Sequence, residues 1–151
     1  MRNPVRSVFA ACLVLVAAAL VAIGCGSSDD NSSGGGGGGG GGTIALLLPE
    51  NQTPRYEAAD KPLFEKKVKE LCADCKVLYS NAEGDINDQQ SQAESALTQG
   101  ADVLVVDAVD AASAVGIVTK AKAQDVPVVS YDRLILDAPV DYYISYDNEK
   151  V

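Results

Sequence analysis

Histidine and tryptophan are absent from the 151 residues, and methionine occurs once. Without histidine the chain lacks the commonest general base and the commonest metal ligand. Aromatic residues are few: two Phe and six Tyr. Positive charge is also scarce, with 12 Lys and Arg against 21 Asp and Glu, a net charge of −9. So acidic a chain, without basic clusters, argues against nucleic acid, whose affinity comes largely from cations on phosphates. It argues equally against an anionic ligand drawn in by bulk electrostatics. Phosphate-loop glycines are missing too. Pro49-Glu50-Asn51-Gln52 follows the first apolar run of the domain, in place of a G-x-G-x-x-G or Walker pattern.

Glycine, by contrast, is concentrated. Nine consecutive glycines occupy 34–42, within a low-complexity stretch that starts at Ser27. Such a run is a flexible coil of about 20 Å reach over this length, and it cannot bury a core. We read 25–42 as a disordered tether. Residues 1–24 have the parts of a secretory signal: Arg2 and Arg6, then an uncharged apolar run over 8–23. That run is short for a membrane span, which takes about 20 residues. Gly24-Cys25, followed by Gly26-Ser27-Ser28-Asp29-Asp30, resembles a bacterial lipoprotein signal with Cys25 as the acylated first mature residue. Ala22 stands where that pattern usually has Leu. The alternatives are an ordinary cleaved signal and an uncleaved anchor. Loss of Arg2 and Arg6 with the signal takes the net charge from −9 to −11.

Of four cysteines, Cys12 lies in the signal and Cys25 is the lipidation candidate, which leaves Cys72 and Cys75 in the domain. Cys72-Ala73-Asp74-Cys75 has thioredoxin-type spacing, but it closes a helix, whereas reactive thiolates are favoured at helix N-termini. Zinc would need further ligands. In an exported protein a small structural disulfide is expected, over free thiols or redox chemistry.

From Thr43 onward, apolar runs and helical periods alternate. Strands are predicted over 43–48, 76–80, 102–106, 126–130 and 142–145. Helices are predicted over 56–71, with Phe64, Val68 and Leu71 inward, over 89–99, capped by Asp88 and stopped by Gly100, and over 111–124, capped by Asp110. Helices of this length between strands imply right-handed crossovers and a parallel sheet. The fold class expected for 43–151 is therefore α/β, a flavodoxin-like doubly wound sheet of order 2-1-3-4-5.

That topology gathers the residues following each strand at one edge, where such sheets bind ligands. They are Glu50 and Asn51, Asn81, Asp107, and the pair Asp132-Arg133, with Arg55 and Tyr56 at the start of the first helix. Carboxylates accept hydrogen bonds from hydroxyls, and guanidinium donates several in a fixed fork. The set suits an uncharged polyhydroxylated ligand such as a sugar. The plainer alternative for Asp132-Arg133 is a surface ion pair, worth little. Asp107 and Asp132 as an acid/base pair lack a nucleophile, a metal set or a histidine to work with.

Three stretches carry a resemblance. Gln99-Gly100-Ala101-Asp102-Val103-Leu104-Val105-Val106 and Val126-Pro127-Val128-Val129-Ser130-Tyr131-Asp132-Arg133-Leu134-Ile135 resemble the sugar-binding proteins of bacterial ABC transporters. Tyr142-Tyr143-Ile144-Ser145-Tyr146-Asp147-Asn148-Glu149-Lys150-Val151 is most similar to their xylose-binding branch. The resemblance implies one lobe of a two-lobed type I periplasmic-binding-protein fold, and it implies that Asp132 and Arg133 hydrogen-bond sugar hydroxyls and ring oxygen. It carries an Arg-then-aromatic ligand pair onto Arg55 and Tyr56, where Trp is more usual at the second place. The acidic loop Asp107-Ala108-Val109-Asp110 departs from xylose binders.

The expected function is capture of a monosaccharide, xylose or a related aldose, for delivery to an ABC permease, without catalysis, cofactor or metal. The alternative is an extracytoplasmic sugar sensor coupled to a signalling kinase. The expected partners are the sugar, the permease and, through the anchor on Cys25, the cell membrane; a monomer is expected and nucleic acid is not. The resemblance also implies that the second lobe lies outside this sequence, and that half a site binds sugar weakly or not at all.

Overall fold

The structure, a computed structural model, describes residues 41–147, 149 and 150. The signal over 1–24, Cys25 and nearly all of the tether lie outside the described residues. Nine elements follow. β1 is Thr43–Leu48, and α1 is Lys61–Leu71, entered through a π-helical turn, Tyr56–Asp60. β2 (Lys76–Asn81), α2 (Ile86–Thr98), β3 (Val103–Val106), α3 (Val115–Lys122), β4 (Val128–Tyr131) and β5 (Tyr142–Ile144) complete the order.

All neighbouring strands are parallel, and their order is β2-β1-β3-β4-β5. The expected sheet is present. Alternation along each strand divides the core. Ala45, Leu47, Leu104, Val106 and Val128 pack under α2 and α3, against Ala93, Leu97, Ile117 and Val118. Leu46, Leu48 and Val105 face the other way, with Tyr56 and Phe64. Strands covered on both faces read as unbroken apolar runs, which is how 44–48 and 103–106 read.

Helix ends differ from the sequence expectation, each for a local reason. Asp85, not Asp88, caps α2: its carboxylate accepts from the Asn87 and Asp88 amides at 2.7 and 3.1 Å. Glu83 and Gly84, both at positive φ, turn the chain so that Asp85 arrives first. Gly100, at φ 79°, ends the helix as expected. In α3 the carboxylate of Asp110 does accept from Ser113 N, at 2.7 Å. Regular helix nevertheless begins only at Val115, because bonds such as Val115 N to Ala112 O and Ile117 N to Ala114 O hold the first turn in a tighter i to i−3 pattern. Gln90 donates to the Ser113 carbonyl at 2.7 Å and takes up an acceptor in that turn. β4 starts at Val128 because Pro127 has no N–H for the ladder.

The remaining difference concerns α1. Pro62 lacks the N–H that an α-helical bond would need, and Lys61 N reaches back to Tyr56 O across the wider turn. Leu71, expected inward, is 80% exposed. Between α1 and the sheet runs an apolar groove of about 350 Å³, lined by Phe64, Val68, Leu71, Val103, Val105 and Val129. Cys72 and Cys75 close the helix in a disulfide with Cα atoms 5.3 Å apart. No helix among the described residues is long and apolar enough to cross a membrane.

Candidate functional site

The polar edge is built from four loops at the carboxyl ends of β1, β2, β3 and β4. After β1, the Glu50 carboxylate accepts the Thr53 amide at 2.9 Å, which folds the loop back on itself. Hydrogen bonds from the Thr53 side chain and then its amide, with Arg133 nearby, hold the Glu50 carboxyl below the usual range. The loop then presents Arg55 and Tyr56 at the head of the π-helical turn, with the Tyr56 ring buried against the sheet.

After β4 the chain reverses sharply. Asp132 lies at φ 58°, a left-handed conformation that Asp tolerates better than most residues. Ser130 stabilises the reversal, donating to Arg133 O at 2.8 Å and accepting from Ile135 N at 2.9 Å. Tyr143, on β5, donates to the Asp132 carbonyl at 3.1 Å. The reversal sends the two side chains to different neighbours. The Asp132 carboxylate pairs with Arg55 and accepts from the Tyr56 hydroxyl at 3.2 Å. Arg133 donates to Ala108 O at 3.1 Å and lies 3.6 Å from Asp107 and 3.8 Å from Glu50. Among the described residues Asp132 and Arg133 make no ion pair with each other; each crosses to another strand's loop.

Asp107 sits at the floor. It is fully buried, and neither carboxylate oxygen has a hydrogen-bond partner. Burial pushes its carboxyl up to about 7, with the help of Asp132 and against the pull of Arg133, the Tyr56 hydroxyl and Arg55. Burial, and then the Asp107 charge, push the Tyr56 phenol up to about 12. For Arg55, burial opposes the charge. The Tyr56 hydroxyl and the Asp132 and Asp60 carboxylates outweigh it, and the guanidinium stays cationic. It packs over the rings of Tyr56 and Tyr146, 5.0 and 5.1 Å from their centres.

Six of the sequence-selected residues therefore meet: Glu50, Arg55, Tyr56, Asp107, Asp132 and Arg133. Two do not join them. Asn81 turns its amide onto Glu50 O at 3.1 Å and Glu57 at 2.9 Å, and accepts from Glu83 N at 2.9 Å, so it ties β2 to the first loop. Asn51 is exposed on that loop. Sequence reasoning missed Gln89, which is buried and clamps the loop after β3. Its amide donates to Asp107 O at 2.8 Å and accepts from Val109 N at 2.9 Å. The available signal was a polar residue in register with Ala93 and Ala96 on the inward stripe of α2.

The arrangement offers two guanidinium groups, three carboxylates and two aromatic rings on one sheet edge. It can exchange hydrogen bonds in both directions with hydroxyl groups. Among the described residues no cluster of His, Cys, Asp or Glu is suited to hold a metal ion.

Known proteins match over the same region. The D-xylose-binding periplasmic protein of Escherichia coli K12 is 41% identical over 92 residues, covering 61% of this chain and 27% of its own length. A solved solute-binding protein of an ABC transporter from Clostridium phytofermentans, with bound β-D-glucose, is 28% identical with a TM-score of 0.66, over 72% of this chain and 33% of that one. The fructose-binding periplasmic domain of a hybrid two-component system is 26% identical with a TM-score of 0.61, over 72% and 35%. The chain thus spans about a third or less of the length of these proteins. The family profile described as the periplasmic binding protein domain matches residues 44–151, and the chain belongs to that family.

Proposed function

We propose that this chain forms the amino-terminal lobe of a receptor that captures a monosaccharide, xylose or a related aldose, and hands it to an ABC permease. The observation that carries the reading is the crossed pairing of Asp132 with Arg55 and of Arg133 with the β3 loop. These four groups lie at one edge, oriented by other residues before any ligand arrives. Sugar hydroxyls donate to Asp132 and accept from Arg55 and Arg133, and the half-exposed ring of Tyr146 offers an apolar face. The site moves no proton to or from a reacting bond and has no catalytic role. A second lobe closing over the edge completes the contacts and excludes water.

Export, and an acyl anchor on Cys25 ahead of the glycine tether, place the receptor on the outer face of the cell membrane as a monomer. A second reading is a sugar sensor coupled to a kinase. It is favoured by the likeness to the fructose-binding domain of a two-component system. Reconstitution separates the two: sugar uptake through a permease marks the transporter, and sugar-dependent phosphorylation of a kinase marks the sensor.

The test of the site is calorimetry of the two-lobed receptor with D-xylose. A hydrogen bond to a charged group contributes about 1.5–3 kcal/mol, and about 1.4 kcal/mol is tenfold in affinity. Asp132→Ala and Arg133→Ala are each expected to weaken binding at least about tenfold. Lys66→Ala, on the outer face of α1, is expected to bind as wild type. Folded Asp132 and Arg133 variants that bind unchanged would reject the site.

A further inference from the structure

Asp107 is left without hydrogen-bond donors although donors surround it. Its main chain is satisfied: the amide donates to Leu47 O at 3.0 Å and the carbonyl accepts from Gln89 at 2.8 Å. Its side chain is fully enclosed with both oxygens unpartnered. The neighbours from each packed element are engaged elsewhere. From the β4 loop, Arg133 donates to Ala108 O, and its Nε stops 3.6 Å from Asp107, beyond a good hydrogen bond. The Tyr56 hydroxyl lies close enough to Asp107 to lower its proton affinity, but it has a single proton, and its hydrogen bond of 3.2 Å is to Asp132. Arg55 serves Asp132 and Asp60. The Gln89 amide of α2 is bound by the Asp107 and Val109 main chain. Glu50 and Asp132 add negative charge to the same edge, against the positive charge of Arg55 and Arg133.

An ionised carboxylate accepts only, and one buried without donors is costly. A protonated one is tolerated. A sugar hydroxyl is a donor of the missing kind, and its bond to an anion is about twice as strong as one between neutral groups. We infer that Asp107 exchanges its proton for a sugar hydroxyl: it is neutral in the empty lobe, where Arg133 and Tyr56 cover it, and it becomes the carboxylate that accepts a hydroxyl when bound sugar draws those two groups aside. No covalent bond to the sugar forms or breaks. The carboxyl proton passes to solvent, and the hydroxyl keeps its own. Capture therefore releases a proton, and acidification favours release of the sugar. The inference rests on the sugar-binding reading above and adds its regulation by pH. The raised proton affinity of Asp107 accords with it.

Two measurements test it. In the sugar-free chain, the carbon-13 resonance of the Asp107 carboxyl is expected to titrate near neutral pH. Titration in the ordinary carboxylate range overturns the inference without any variant. The second is calorimetry with D-xylose in buffers of different ionisation enthalpy, on the two-lobed receptor of which this chain is the amino-terminal lobe, as wild type, Asp107→Asn and Asp132→Ala. Wild type is expected to release protons on binding and to lose affinity below neutrality, by up to about tenfold per pH unit for one linked proton. Asp107→Asn is expected to bind with no proton release and a flat pH profile. Equal proton release by wild type and Asp107→Asn, or proton uptake by wild type, overturns the inference and leaves the site standing. Binding unchanged in Asp132→Ala, or no binding of D-xylose by wild type, overturns the sugar site and this inference with it.

Discussion

At the scale of single residues, the site is a set of charges each held by a partner far away in sequence. Arg55 and Asp132 are 77 positions apart, and the fork of Arg133 reaches loops after β1 and β3. Asp107 is the exception, a buried carboxyl with Arg133 at 3.6 Å but no hydrogen bond, and it makes stability depend on pH. Its folded value of about 7 lies above the ordinary 3.8. Between those values the folded chain keeps a proton that the unfolded chain has lost, so stability falls as pH rises through that window and levels off above it. Asp107→Asn removes the dependence. It is expected to be more stable than wild type above neutrality by about 1–3 kcal/mol, the cost of a buried group without a partner. Thermal melts at acidic and alkaline pH check this; a variant that melts lower than wild type at both contradicts it. Which residues reach this edge was legible, since Asp107 and the pair Asp132-Arg133 follow strands. Their pairing was not, because the turn at Asp132 depends on a left-handed backbone that no local pattern announces.

At the scale of elements, the apolar runs predicted strands well, and helix ends less well. Two aspartates three residues apart, Asp85 and Asp88, both fit an N-cap, and only the turn before them decides between them. Asp85→Ala is expected to destabilise the fold by about 1 kcal/mol, and Asp88→Ala by less; denaturant melts of both compare them directly. Leu71 was misplaced because its period matched an inward face, but the exposed end of α1 runs past the residues that bury Phe64. The disulfide joining Cys72 and Cys75 at that end implies a chemical result. Thiol titration of the folded domain under non-reducing conditions is expected to find neither cysteine free, and two reactive thiols would contradict the bridge.

At the scale of the whole molecule, the sheet order followed from the alternation of strands and helices, because right-handed crossovers leave few alternatives. That order brings the six polar residues to one edge, and it is why the candidate site was partly readable from the sequence. Coverage of the sheet was not readable. α2 and α3 pack on one face, whereas among the described residues only α1 and its π-helical entry turn lie on the other, beside an apolar groove. The membrane reading belongs to this scale as well. If Cys25 is acylated, Cys25→Ser is expected to move the protein from membrane to soluble fractions, and unchanged partitioning contradicts the anchor.

The central claim is that the carboxyl edge of this sheet receives a sugar. Amide chemical-shift mapping of the two-lobed receptor during titration with D-xylose tests it most directly. The account predicts that the largest shifts fall on the loop carrying Glu50, Arg55 and Tyr56, on Asp107 to Val109, and on Asp132 and Arg133. Shifts absent from these loops, or centred on α1 or on the α2–α3 surface, would contradict it.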